Sequence, residues 1–179
     1  MSEKKQDTVA RSVRMNIDTG EKTWITPKWI IDALGSFDLD PCCPDGEMPW
    51  RTADRMVGKS EDGLRVEWRN KRVWLNPPYG KEALPFFRKM IDDDAKGIAL
   101  VFARTDTTLW QQYIFPHANC ISFLSGRLRF CRQDGTEGDA ATAPSALIAF
   151  GAEDGKVLRD ACERGYTKGF IMGNLKETK

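Results

Sequence analysis

At 179 residues the chain is long enough for one domain with a real hydrophobic core, and nothing suggests two. Apolar residues make up 41% and charged residues 30%, an ordinary soluble balance, and no run approaches membrane-spanning length. A formal net charge of +1 neither supports nor excludes a polyanionic partner, because binding one takes a basic face rather than a basic total.

Residues 1–20 read as a flexible basic arm carrying Lys4, Lys5, Arg11 and Arg14, and residues 21–179 as a single domain. The first 16 residues are polar and lack the apolar segment of a signal peptide, so a cytoplasmic location is expected. The next stretch, around Thr26-Pro27, predicts a helix start with Thr26 as N-cap and Pro27 at the first helical position. Ile30, Ile31 and Leu34 share one face and Gly35 supplies the stop. The exposed N-terminal amides of such a helix favour an anionic group such as a carboxylate. Trp24 beside it is either a stacking surface or a core anchor.

Residues 36–40 alternate as a strand, Phe37 and Leu39 against Asp38 and Asp40, and Pro41 ends it. An aspartate at that end either meets a cationic group or caps the turn. Residues 45–60 hold Gly, Pro and Trp without a period and read as loop, with a short strand over 55–57. Ser60-Glu61-Asp62-Gly63-Leu64 is a turn in which Asp62 accepts a ligand's amine or simply shapes the backbone.

Arg72-Val73-Trp74-Leu75 reads as a short buried strand, stopped abruptly by Asn76-Pro77-Pro78-Tyr79. The two prolines fix φ and remove two donors, so the chain past Asn76 is stiff. An amide, a bare carbonyl and an aromatic ring are then held together at a strand's C-terminal end, the edge where open α/β sheets bind ligands. That set suits a flat amino-bearing ring: the Asn76 side-chain oxygen and the Pro77 carbonyl accept from its two N–H groups, and Tyr79 stacks on it.

Residues 82–95 predict a helix with Ala83, Phe86, Phe87, Met90 and Ile91 inward, Pro85 in its first turn and Gly97 as its end. Residues 98–103 are a continuous apolar run, a central strand, and the pair makes a βαβ crossover with a parallel sheet. Arg104-Thr105-Asp106-Thr107 follows on the same edge as Asn76. There Arg104 or Asp106 lines a substrate cleft, or Asp106 or Thr107 caps a helix carrying Leu109, Trp110, Tyr113 and Ile114. Strands are expected over 120–124, over 127–130 with Arg127 and Arg129 on a wet positive face, and over 145–150 as an antiparallel ending. Residues 132–144 read as a mobile loop, 153–164 as a last helix and 170–172 as a terminal strand. Five cysteines (Cys42, Cys43, Cys120, Cys131, Cys162) form no paired Cys-x-x-Cys spacing, and with His117 the only histidine no metal site is expected.

Asn76-Pro77-Pro78-Tyr79 after an apolar strand resembles the catalytic motif of amino-methyltransferases that use S-adenosylmethionine. Phe37-Asp38-Leu39-Asp40-Pro41 resembles their first cofactor motif, although Cys42-Cys43-Pro44-Asp45-Gly46 departs from its glycine-rich continuation. With Thr26-Pro27, Asp62-Gly63-Leu64, Trp68 and Thr105-Asp106-Thr107 before Trp110, the ensemble resembles the phage-type DNA N6-adenine methyltransferase (Dam-like) family.

The resemblance implies a reduced Rossmann-like S-adenosylmethionine-dependent methyltransferase fold, mostly parallel with antiparallel C-terminal strands. It implies methyl transfer to the exocyclic amine of a flipped adenine in double-stranded DNA, by a phage- or prophage-encoded enzyme in a bacterial cytoplasm. Trp24, Thr26, Pro27, Asp40, Pro41, Asp62 and Asn76 would then surround the cofactor. Asn76, Pro77, Pro78 and Tyr79 would carry the catalysis, and Tyr79, Arg104, Asp106, Arg127 and Arg129 would contact DNA. Three rivals stay open: an RNA adenine methyltransferase, a protein glutamine methyltransferase, and a non-catalytic DNA-binding module on the same fold.

Overall fold

The computed structural model describes residues 24–173, so the arm expected over residues 1–20 lies outside the described residues. Within them lie nine strands: β1 (Leu39–Asp40), β2 (Arg55–Met56), β3 (Arg72–Leu75), β4 (Lys96–Phe102), β5 (Cys120–Leu124), β6 (Arg129–Cys131), β7 (Glu137–Ala140), β8 (Ser145–Phe150) and β9 (Gly169–Gly173). Three α-helices accompany them: α1 (Lys28–Leu34), α2 (Leu84–Asp92) and α3 (Ala152–Glu163). Seven strands form one sheet in the order β2-β1-β3-β4-β8-β5-β9, while β6 and β7 pair separately. β2, β1, β3 and β4 are mutually parallel. β8 runs antiparallel to both β4 and β5, and β9 antiparallel to β5, so β1 to β5 all point one way. The result is a mixed α/β sheet, mostly parallel.

Strand alternation sorts the core onto two faces. Val73 and Leu75 join Phe87, Trp110, Ile121 and Ile148 on the α2 side. Trp74 joins Ile30, Leu34, Leu100, Leu147 and Leu158 on the side of α1 and α3. All six residues of β8 are buried, which suits a central strand. Each fully buried side chain of this size contributes about 1.5–3 kcal/mol.

Several expectations change. Gly97 does not end a helix; α2 stops at Asp92, and the chain reverses through Asp94 at φ 50°. Gly97 instead sits inside β4, where a Cβ would lie 1.9 Å from the Val73 carbonyl oxygen, so only a glycine lets β3 approach. The helix expected from residue 82 is a 3₁₀ turn over Gly80–Ala83 followed by α2, with Pro85 in the first turn of α2, where a missing N–H costs nothing. Past β4 the chain makes a π-helical turn, Leu109–Ile114, anchored by the buried Trp110 indole donating to the Phe102 carbonyl at 2.8 Å. No side chain caps it: Thr107 donates its hydroxyl to the Arg104 carbonyl at 2.8 Å instead.

The segment read as a mobile loop contains β7, which pairs with β6 in a hairpin. The basic strand therefore leaves the main sheet, and β8 takes β4 and β5 as neighbours rather than ending the sheet beside it. Ile25 bridges Cys131 through bonds of 2.9 and 2.8 Å, laying the Trp24–Ile25 stretch against that hairpin. No helix among the described residues is long and apolar enough to cross a membrane.

Candidate active site

The corner after β3 forms as its prolines dictate. Leu75 ends the ladder opposite Ala99, Pro77 is buried, and Pro78 and Gly80 are exposed. Asn76, half-buried, donates through Nδ2 to the Thr26 hydroxyl at 3.2 Å, and its Oδ1 receives the Tyr79 hydroxyl at 3.5 Å. Thr26 thus fixes which way the amide points and leaves Oδ1 with spare accepting capacity. This overturns Thr26 as N-cap: Pro27 occupies that position with no side-chain cap, and the buried hydroxyl serves Asn76 instead. Trp50 locks the same segment by donating its indole N–H to the Thr26 carbonyl at 3.1 Å.

Tyr79 is held by rings. Phe102, the last residue of β4, stacks on it at 4.0 Å and 5°, and Phe130 of β6 meets it edge-on at 6.2 Å and 70°. Burial pushes the Tyr79 phenol well above its ordinary range, so it stays a neutral donor. The Arg104 guanidinium lies 5.7 Å from the outer Phe102 ring, on the strand edge shared with Asn76. Asp106 is exposed on the loop after β4.

A second cluster surrounds Asp40 at the end of β1. Its carboxyl is buried; one oxygen accepts the Cys42 amide at 2.9 Å and the other the Thr52 hydroxyl. Burial raises its pKa to about 6, against the lowering pull of the Thr52 and Cys42 bonds. Pro41 packs directly on the Asp62–Gly63 turn, since a Cβ on Gly63 would fall 1.9 Å from the Pro41 carbonyl oxygen. Trp68, fully buried, braces that turn from below by donating to the Gly63 carbonyl at 2.9 Å. Asp62 itself adopts φ 62°, accepts the Leu64 amide at 3.1 Å and pairs with Arg65 at 3.2 Å, the geometry of a turn aspartate. Asp40, Pro41 and Asp62 therefore converge, with Asp62 keeping the more accessible carboxylate.

The remaining residues sit further out. Trp24 is half-buried against Gly138 of β7, where a Cβ would meet its ring at 2.4 Å, so it anchors the hairpin. Arg129 pairs with Glu137 at 3.6 Å and donates to the Gly138 carbonyl at 3.3 Å. Arg127 is exposed at the hairpin's base. A cleft of about 480 Å³ lined by Met48, Arg51 and Arg55 opens near β2, and Asn76 does not line it. Cys42 and Cys43 have thiols raised chiefly by burial, Cys43 to about 12, and all five cysteines are free. Among the described residues no group of three or more His, Cys, Asp or Glu side chains is placed to hold a metal ion.

Thr52, Trp50, Phe102 and Phe130 were not legible as site residues. Trp50 and Thr52 lie in a stretch with no period, where a tryptophan without hydrophobic company was the only pointer. Phe102 lies within the apolar run over 98–103 and reads as core.

Residues 15–156 match the family described as DNA N-6-adenine-methyltransferase (Dam). The match covers most of the chain, and the protein belongs to that family. It is also 26% identical over 167 residues to a DNA N-6-adenine-methyltransferase of Escherichia phage T1, covering 89% of this chain. The aligned region spans 66% of that relative's length. No solved structure matches.

Proposed function

We propose that this protein is an S-adenosylmethionine-dependent DNA N6-adenine methyltransferase on a reduced Rossmann-like fold, its single methyltransferase domain covering residues 21–179 and its work done in a bacterial cytoplasm. One observation carries the reading: the Thr26–Asn76–Tyr79–Phe102 corner at the end of β3, in a chain of the Dam family. The convergence of Asp40, Pro41 and Asp62 beside it supports a cofactor site, which Trp24, Thr26, Pro27 and Asn76 would complete.

When bound, S-adenosylmethionine supplies an electrophilic methyl group. This chain's residues position the acceptor. Asn76 Oδ1 and the Pro77 carbonyl accept the two N–H groups of the adenine amine, which leaves the nitrogen lone pair less conjugated and aimed. Thr26 holds the amide in that orientation. Tyr79, stacked on Phe102, would lie against the base. The base must leave the duplex at a cost of a few kcal/mol, and stacking worth ~1–3 kcal/mol offsets part of it. Positioning rather than strong acid–base catalysis drives the step, the amine losing one proton to water once the methyl group is in place, which fits a chain with one histidine.

The test is incubation with methyl-labelled S-adenosylmethionine and duplex DNA, RNA or protein, followed by digestion and nucleoside analysis. Label is expected in N6-methyladenine from DNA. Asn76→Ala is expected to lower that rate by about 10²-fold or more, a far larger loss than any change in the cofactor affinity that calorimetry reads. Tyr79→Ala is expected to raise the KM for DNA. Label in RNA or glutamine, or a native rate in Asn76→Ala, overturns the reading.

A further inference from the structure

β5 ends at Leu124, directly opposite Gly169 where β9 begins. Because β5 points the same way as β3, this place lies on the same sheet edge as Asn76. Three strand spacings separate β3 from β5, about 14 Å at ~4.8 Å each. A cleft of about 360 Å³ opens there, lined by Trp29, Arg127, Arg129, Glu137, Tyr166 and Lys168 among others.

Two features of this cleft point to one occupant. Trp29 and Tyr166 are 46% and 58% exposed, large rings left in water beside one another's cleft wall. Three cations line the cleft against one anion, and Glu137 is already paired with Arg129 at 3.6 Å. The side chains of Arg127 and Lys168 make no hydrogen bond or ion pair within the described residues. An apolar peptide would use the rings but leave that charge uncompensated. A phosphodiester chain uses both: phosphate meets the cations, and sugar or an unstacked base lies on the rings.

We infer that this cleft anchors the backbone of DNA flanking the target adenine, with Arg127 and Lys168 on phosphates and Trp29 and Tyr166 against sugar or base. The inference rests on the DNA reading above. A 14 Å reach spans about four phosphates along one strand at ~3.4 Å each, so one duplex can occupy both places.

Fluorescence anisotropy with a mixed-sequence duplex of about 30 base pairs, titrated across salt, tests it; the probe length covers several times the 14 Å reach. Lys168→Ala is expected to lower the slope of log affinity against log salt by about 0.9, and Lys168→Glu to weaken binding further. Tyr166→Ala is expected to weaken binding about five- to tenfold with the slope unchanged. Heat of S-adenosylmethionine binding and the unfolding midpoint serve as folding controls, since both residues are exposed. Wild-type affinity and slope in all three variants overturn the cleft alone. A wild-type protein that binds no duplex overturns the cleft together with the DNA reading.

Discussion

Asp40 ends β1 with only 4% of its surface exposed, and its burial raises its carboxyl pKa to about 6. An unfolded aspartate titrates near 4. The folded state therefore binds this proton more tightly, so the contribution to stability is complete below about pH 4 and is lost as the pH rises through 6. The gap of roughly two pKa units corresponds to about 3 kcal/mol. Urea unfolding across pH 4–7 is expected to show that component in the wild type and not in Asp40→Asn. The sequence placed Asp40 correctly at a strand end before a proline, yet it could not show which way the carboxyl faces. That was decided by Thr52, twelve residues on, whose hydroxyl reaches it only because β2 pairs with β1. Thr26 repeats the lesson: Thr-Pro is a local capping signal, but a hydrogen bond to Asn76, fifty residues away, took the hydroxyl instead.

Among the elements, β3 was legible to the residue because its apolar run is bounded by charge and proline. The start of β3 also carries a tie that no local pattern announces. Arg72 donates to Asp154 of α3 at 2.7 Å, to the Leu34 carbonyl at the end of α1 at 2.9 Å and to the Ser36 carbonyl, and stacks 4.2 Å over Phe37. Asp154 is 3% exposed, and burial holds its pKa up even against the Arg72 charge. Removing the guanidinium leaves a buried carboxyl without its partner, so Arg72→Ala is expected to cost about 3–5 kcal/mol, read from the urea midpoint. The β6–β7 hairpin was the element least legible. Its second strand, Glu137-Gly138-Asp139-Ala140, has loop composition, and only the pairing with β6 and the Trp24 ring lying over Gly138 make it a strand. Gly97 misled for a related reason, since a glycine after a helical pattern reads as a stop unless the neighbouring strand's approach is known.

At the scale of the molecule, the loops after β1, β3 and β4 meet on one edge of one sheet, so a ligand gripping them ties together strands of the same core. Such a ligand binds the folded state alone. At one hundred times its dissociation constant, S-adenosylmethionine is expected to add about 2.7 kcal/mol and raise the unfolding midpoint by roughly 5–10 °C, measurable by scanning calorimetry. A midpoint that does not move removes the cofactor from the account. The overall α/β class was legible because βαβ periodicity survives in the sequence. The order of the last strands was not, since β8 was read as an ending and lies in the interior.

That position has a consequence for how the polypeptide is made. β5 leaves the ribosome before β8, yet in the finished sheet β5 never touches β4, because β8 lies between them and pairs with both. Through translation of some twenty residues, from Leu124 to Ser145, the nascent chain carries two greasy strands whose facing edges have no mate. A message cut short in that interval would yield a sticky half-sheet, since only residues 145–150 give both of those edges their partner.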